Sequence, residues 1–245
     1  MGTENQRMST TSHSNVDPDE IEKFQSIASR WWDRDSEFKP LHDINPLRVD
    51  YIDRQCHGLA GKKLLDIGCG GGILAEALAT RGAEVTGIDM AEQSLQVAQL
   101  HLHESGLQVD YQLSTAEEFA EHHPATYDVV TCLEMLEHVP DPDAIVAAAA
   151  KLLKPQGTMI LSTLNRNPKS FALAIVGAEY VMGMIPRGTH QYRKFIKPSE
   201  LASSLRARGL DVRDITGIRY NPLRKSYSLG NDIDVNYLMA AGRND

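Results

Sequence analysis

Two short stretches concentrate the residues able to do chemistry. The first is Asp66-Ile67-Gly68-Cys69-Gly70-Gly71-Gly72, set between an apolar run and a helical pattern that begins at Ile73. Glycines at alternate positions remove side chains where a ligand must lie against backbone. At the carboxyl end of a strand in an open α/β sheet, such a loop forms one wall of the ligand crevice. Asp89 ends the next apolar run, and an acid there can accept hydrogen bonds from ribose hydroxyls. The second stretch is Glu134-Met135-Leu136-Glu137-His138, directly after the run Tyr127 to Leu133. On a helix, Glu134, Glu137 and His138 would share a face, because i, i+3 and i+4 are neighbours. That face could hold a divalent cation, or His138 could act alone as a general base. The bland alternative is a helix-start cluster in which Glu137 or His138 caps neighbouring backbone.

The glycine spacing separates two kinds of nucleotide site. A dinucleotide loop needs G-x-G-x-x-G, which would place its third glycine at Ile73. An acid two residues before G-x-G-x-G fits Asp66, Gly68, Gly70 and Gly72, and that is the pattern of class I S-adenosylmethionine-dependent methyltransferases. Asp89 suits both kinds. The segment Leu152-Leu153-Lys154-Pro155-Gln156-Gly157 before a later strand favours the methyltransferase. Gly72 taken alone reads equally as helix–sheet packing.

The elements that must position these residues alternate. Strands are expected at Lys63–Ile67, Glu84–Asp89, Gln108–Leu113, Tyr127–Leu133 and Thr158–Thr163, with helices at Ile73–Arg81, Glu92–Glu104 and Asp143–Leu153. This alternation implies a parallel sheet with helices on both faces. Upstream, Asp17-Pro18-Asp19-Glu20 has the form of a helix start: an Asp N-cap, Pro at N1 and Glu20 closing a capping box. The stretch Glu37 to Arg48 holds Pro40 and Pro46 and is expected to be irregular before a helix near Arg48 to His57. Downstream, Pro198 opens a further helix, and Leu210–Arg219 and Asp234–Ala240 read as two final strands. The organisation expected is a tail over 1–15 and one domain over 16–242. That domain would carry an N-terminal helical lid at 16–60 and an insertion at 166–197 too long for a simple connection.

Composition bounds the function. The 245 residues carry a net charge of −8, with a mean hydropathy of −0.33. That balance argues against a nucleic-acid binder, which needs a cationic face. No apolar run is long enough to span a bilayer. Three cysteines without metal or disulfide spacing fit a reducing, cytoplasmic setting. The charge is unevenly spread, however. Residues 187–225 hold ten Lys or Arg against three acids, a local balance of +7, next to the apolar segment 171–186. An apolar helix beside a basic surface can lie in an anionic membrane interface. The alternative is a core helix or a lid over the active site. His190, Tyr192, Arg193, Phe195 and Lys197 follow and are candidates for lining a substrate pocket, with ordinary surface as the alternative.

Several segments together resemble the ubiquinone-biosynthesis O-methyltransferases. They are Arg30-Trp31-Trp32-Asp33, Glu37 to His42, Ile44 to Arg48, Leu65 to Leu74, Cys132 to Pro140, Ser162-Thr163-Leu164-Asn165-Arg166-Asn167 and Gly188-Thr189-His190. The likeness runs from about Val16 to Leu238. The resemblance implies a Rossmann-like class I α/β fold: a seven-stranded, mostly parallel sheet with helices on both faces and one antiparallel strand. It implies S-adenosylmethionine as methyl donor and methylation of phenolic hydroxyls of polyprenylated ubiquinone precursors. A peripheral position on the inner face of the cytoplasmic membrane, and membership of a ubiquinone biosynthetic complex, belong to the same expectation. The rival is a soluble phenol or catechol O-methyltransferase with no membrane role.

Carried onto matching positions, Gly68 meets the methionine portion, Asp89 the ribose, and Leu133 lies against the cofactor, with Asp66 and Gly70 completing the loop. Arg48 resembles an arginine that closes over the cofactor, where a guanidinium can clamp the methionyl carboxylate; the alternative is a solvated charge. Met90 packs on the adenine or is plain core. The acceptor phenol must lose a proton whose pKa is near 10 in a tyrosine-like ring. This places His138, Glu134 and Glu137 in the catalytic set, with a divalent cation as the other means of acidifying the hydroxyl.

Overall fold

The computed structural model describes residues 15–171 and 192–243. Five strands, β1 (Lys63–Ile67), β2 (Glu84–Asp89), β3 (Val109–Leu113), β4 (Tyr127–Leu133) and β5 (Leu153–Leu164), run parallel. They are followed by β6 (Asp211–Asn221), β7 (Ser226–Gly230) and β8 (Asn236–Gly242). The sheet order is β3-β2-β1-β4-β5-β8-β6-β7. β8 enters between β5 and β6 and runs antiparallel to both. The sheet therefore has eight strands rather than the seven expected, and two of them, β7 and β8, oppose the rest. The extra strand arises because β6 continues past Arg219 and folds back through a hairpin onto Ser226–Gly230.

Alternation along the strands divides the core. On one face, Leu65, Ile67, Val130, Cys132, Met159 and Leu161 pack with α5 (Ala116–His122), α6 (Pro142–Leu152) and α8 (Pro198–Arg206). On the other, Leu64, Val85, Val129, Leu133 and Ile160 pack with α2 (Lys39–Gln55), α3 (Ile73–Ala79) and α4 (Glu92–Ser105). Period-two side-chain direction in a sheet covered on both faces requires this division. A short helical turn, α7 (Pro168–Ser170), follows β5.

The N-terminal segment adds α1 (Pro18–Ile27), with Pro18 at N1 and Asp17 accepting from the Asp19 N–H. Helix α2 begins at Lys39, nine residues before the expected start, so the stretch with Pro40 and Pro46 is not irregular. Pro40 lies in the first turn, where no N–H is needed. Pro46 lies inside and forgoes one bond, but the buried face Ile44, Val49, Tyr51 and Ile52 holds the helix on the sheet. Strand β5 also begins earlier than expected, at Leu153, so the Pro155–Gly157 stretch lies within the strand. Helix α5, which the spacing does not announce, is capped by Thr115, whose hydroxyl oxygen accepts from the Glu118 N–H. The expected tail lies outside the described residues except for Asn15. The segment 171–186, apart from Phe171, and His190 also lie outside them.

Candidate active site

Between β1 and β4 the strand order reverses, and in an open α/β sheet a ligand crevice forms at such a point, beyond the carboxyl ends of the strands. A cavity of about 930 Å³ lies there. It is within the size range of small-molecule sites. The ten residues assigned from the sequence to the cofactor and to catalysis all line it: Arg48, Asp66, Gly68, Gly70, Asp89, Met90, Leu133, Glu134, Glu137 and His138.

The glycine loop is held by its own backbone. The Gly70 N–H donates to Asp89 Oδ2 at 2.8 Å, and the Ala91 N–H to Asp89 Oδ1 at 2.7 Å. A half-buried carboxylate fixed on two amides keeps further lone pairs for hydroxyl donors in the cavity. Burial raises the Asp89 pKa, while those amide bonds and that of Met90 act against the rise. Gly68 and Gly70 have φ of +73° and +53°, the left-handed region that side chains rarely adopt. A Cβ on Gly68 would also lie 2.7 Å from Met135 Cγ, and one on Gly70 2.5 Å from Trp31 Cη2. Gly72 is different: it does not line the cavity, and a Cβ there would strike the Tyr111 hydroxyl and approach Ala98. Its place is helix–sheet packing.

Beneath the loop Asp66 is 2% exposed and accepts from Thr131 Oγ1 at 2.7 Å. Burial pushes its carboxyl up to about 7, against the Thr131 bond and the Arg48 charge. Arg48 is 5% exposed, so it is no solvated charge. Its Nη2 lies 3.2 Å from Glu134 Oε1, with the charges of Asp66 and Glu137 also acting on it. Glu134 thus engages Nη2, while Arg48 Nε has no acceptor. A buried guanidinium with an unsatisfied nitrogen among cavity-lining groups suits a ligand carboxylate. The residues present therefore fit an aminoacyl nucleoside: amides and glycine backbone at the loop, Asp89 for hydroxyls and Arg48 for a carboxylate.

The Glu-x-x-Glu-His stretch is not one helical face. Glu134 adopts φ +53°, with its N–H donating to Ser162 Oγ at 3.0 Å, and only Leu136–His138 forms a 3₁₀ turn. Such a conformation is uncommon for a residue with a side chain and concentrates at functional sites. The three side chains consequently separate. Glu134 takes the Ser162 hydroxyl at 2.8 Å and pairs with Arg48. Glu137, 4% exposed, accepts from Thr163 Oγ1 at 2.8 Å and leaves Oε1 unpartnered. Burial, and then the Glu134 charge, raise its pKa. His138 turns its Nδ1 to Glu20 Oε2, 2.9 Å away. Among the described residues no three His, Cys, Asp or Glu groups are arranged to hold a metal ion. The shared face expected for a cation is therefore corrected: the left-handed turn at Glu134 breaks the helical spacing it required.

Sequence reasoning missed part of the lining. Ser114, Thr115, Ala116 and Glu117 follow β3 and form one wall; the rule that ligands bind beyond strand carboxyl ends would have found them. Glu20 and Phe24 of α1 form another, and so do Ile218, Tyr220 and Tyr227 of the β6–β7 hairpin. Nothing local marks these. Glu20 instead reads as a capping-box acid, yet its carboxylate turns to His138. The candidates Tyr192, Arg193, Phe195 and Lys197 lie off this cavity; Arg193 and Phe195 line a smaller one of about 330 Å³.

A family model described as "Methyltransferase domain" matches residues 42–215. The chain is 62% identical over 230 residues to a ubiquinone biosynthesis O-methyltransferase of Pseudomonas aeruginosa, covering 94% of this chain and 99% of that one. It is also 62% identical over 231 residues to the protein of the same name from Marinobacter nauticus, covering 94% and 97%. Among solved structures it is similar to magnesium protoporphyrin IX methyltransferase from Synechocystis with bound SAM. There the TM-score is 0.64 at 19% identity, over 95% of this chain and 100% of that one. At that identity the likeness speaks for the fold alone.

Proposed function

Because the chain belongs to the ubiquinone biosynthesis O-methyltransferase family, we propose that its cavity takes S-adenosylmethionine beside a polyprenylated phenol and methylates the phenolic oxygen. The observation that carries this reading is the convergence of the glycine loop, Asp89 and the buried Arg48 guanidinium, whose Nε has no acceptor, on one cavity with His138 and Glu137. S-adenosylmethionine, when bound, supplies a methyl group activated on a sulfonium. Asp89 binds the ribose, Gly68 and Gly70 admit the methionine portion, and Arg48 receives its carboxylate. Met90 and Leu133 supply apolar walls, and Asp66 supports the loop from below.

For the acceptor, His138 serves as base, Glu134 holds Arg48 in place, and Glu137 offers its unpartnered oxygen to the acceptor hydroxyl. Holding acceptor and donor in line contributes about 7–11 kcal/mol in well-oriented systems. Ile21, Phe24, Ile27, Phe38 and Leu41 line the same cavity and suit an isoprenoid chain. We infer further that an anionic membrane surface is met through 171–186 and the basic region 187–225. In support, Leu223 is 95% exposed at the β6–β7 turn, beside Arg224 and Lys225.

The test is methyl transfer from labelled S-adenosylmethionine to short-chain catechol and demethylubiquinol analogues, with and without anionic liposomes. Transfer stimulated by liposomes supports the reading. Equal use of soluble phenols with no liposome binding supports the soluble alternative, and no transfer to any phenol refutes the reading.

A further inference from the structure

Glu20 and His138 stand 118 positions apart, yet their side chains meet at 2.9 Å. Both are largely buried, 12% and 13% exposed, and both line the cavity. Phe24, one turn along α1 from Glu20, meets the imidazole edge-on with ring centroids 5.3 Å apart. Residues i and i+4 share a helix face, so one face of α1 fixes the ring from two sides. A carboxylate on Nδ1 selects the Nδ1–H tautomer and leaves the Nε2 lone pair available. Helix α1 is itself docked. Asp17 pairs with Lys194 at 3.0 Å, and Asn15 donates to Glu117 at 2.6 Å and to the Asp141 carbonyl at 2.9 Å.

We propose that Glu20 is a positioning residue for methyl transfer, completing with His138 a carboxylate–imidazole pair that exists only while α1 is docked. The inference rests on His138 as the base. As the acceptor oxygen bonds to the methyl carbon, its proton passes to Nε2. The sulfur–methyl bond breaks with its electron pair left on sulfur, and the imidazolium that forms faces an anion. Burial works against the charge on Glu20, but the His138 hydrogen bond and the charges of His138, Lys23 and Lys194 hold its pKa below the usual value. The charged groups around the pair are Lys23 of α1, Lys194 of the turn Tyr192–Lys194, and Glu137 beside His138.

The experiment compares the full chain with its Glu20→Gln, His138→Ala and doubly substituted variants, using S-adenosylmethionine and a short-chain catechol. A general base contributes roughly 10²–10⁴-fold. Glu20→Gln is expected to lower kcat about tenfold, with the KM for S-adenosylmethionine unchanged, because it removes charge but keeps an acceptor. The acid limb of kcat against pH moves to lower pH, since an imidazole without its facing carboxylate is a weaker base. In the double variant Glu20→Gln adds no further loss. Wild-type kcat and an unmoved acid limb in Glu20→Gln overturn the proposal, as does a loss confined to KM. Wild-type kcat in His138→Ala overturns both it and the assignment of the base. Absence of methyl transfer in the unaltered chain instead strikes the proposed function itself.

Discussion

Asp89 joins the glycine loop to the cavity through two short amide bonds, so its removal touches both loop order and ligand binding. Asp89→Ala is expected to weaken S-adenosylmethionine binding by about 10- to 100-fold, as hydrogen bonds to a charged group are worth roughly 1.5–3 kcal/mol; isothermal titration measures it. Asp66 acts on stability with a sign opposite to that of a salt-bridged acid. Its folded pKa, about 7, lies above the ordinary 3.8. Between those values the folded state keeps a proton that the unfolded chain has released. Its contribution is therefore fully present below about 3.8 and disappears as pH rises to about 7, an effect on the order of 4 kcal/mol. Asp66→Asn, which keeps the acceptor for Thr131, is expected to flatten the fall in Tm over that window. Thermal unfolding of both ligand-free proteins across pH 4 to 7.5 checks this.

The N-terminal segment and the glycine loop meet at Trp31, which stacks on Phe38 with centroids 3.9 Å apart and donates through Nε1 to Ser94 Oγ at 3.1 Å. A methyl group on Gly71 would enter the Trp31 indole. Gly71→Ala is therefore expected to displace Trp31 and the N-terminal segment that carries it, with a red-shifted tryptophan emission and weaker cofactor binding. At this scale the sequence was readable where one element decides the pattern. The runs before Gly68, Asp89 and Glu134 announced β1, β2 and β4, and the glycine spacing announced the loop. It was unreadable where distant packing decides. Prolines at 40 and 46 argue against a helix, yet the buried face of α2 outweighs them. The left-handed turn at Glu134 depends on the Ser162 backbone and hydroxyl, and the Glu20–His138 contact depends on how α1 lands on the domain. The hairpin strand β7 is a short alternation, Tyr227 and Leu229, that gains its partner only from the extension of β6.

The whole molecule divides its charge. Residues 187–225 are basic within a chain of net charge −8, and the β6–β7 hairpin reaches from the cavity wall to an exposed turn at Leu223. Leu223→Asp combined with Arg224→Glu is expected to reduce co-sedimentation with anionic liposomes severalfold. Raising salt should weaken liposome binding of the unaltered protein in the same direction, because the screening length falls to about 3 Å near 1 M. Among the described residues no helix is long and apolar enough to cross a membrane. The place of β8 in the sheet carries a consequence for biogenesis. It is the last strand in the chain but sits between β5 and β6, with Tyr237 to Ala241 buried. During translation, β5 and β6 must wait with unpaired edges until residues 236–242 leave the ribosome. The sheet is thus closed after synthesis of its last strand, and a nascent chain stalled before Asn236 should be protease-sensitive and a client for chaperones.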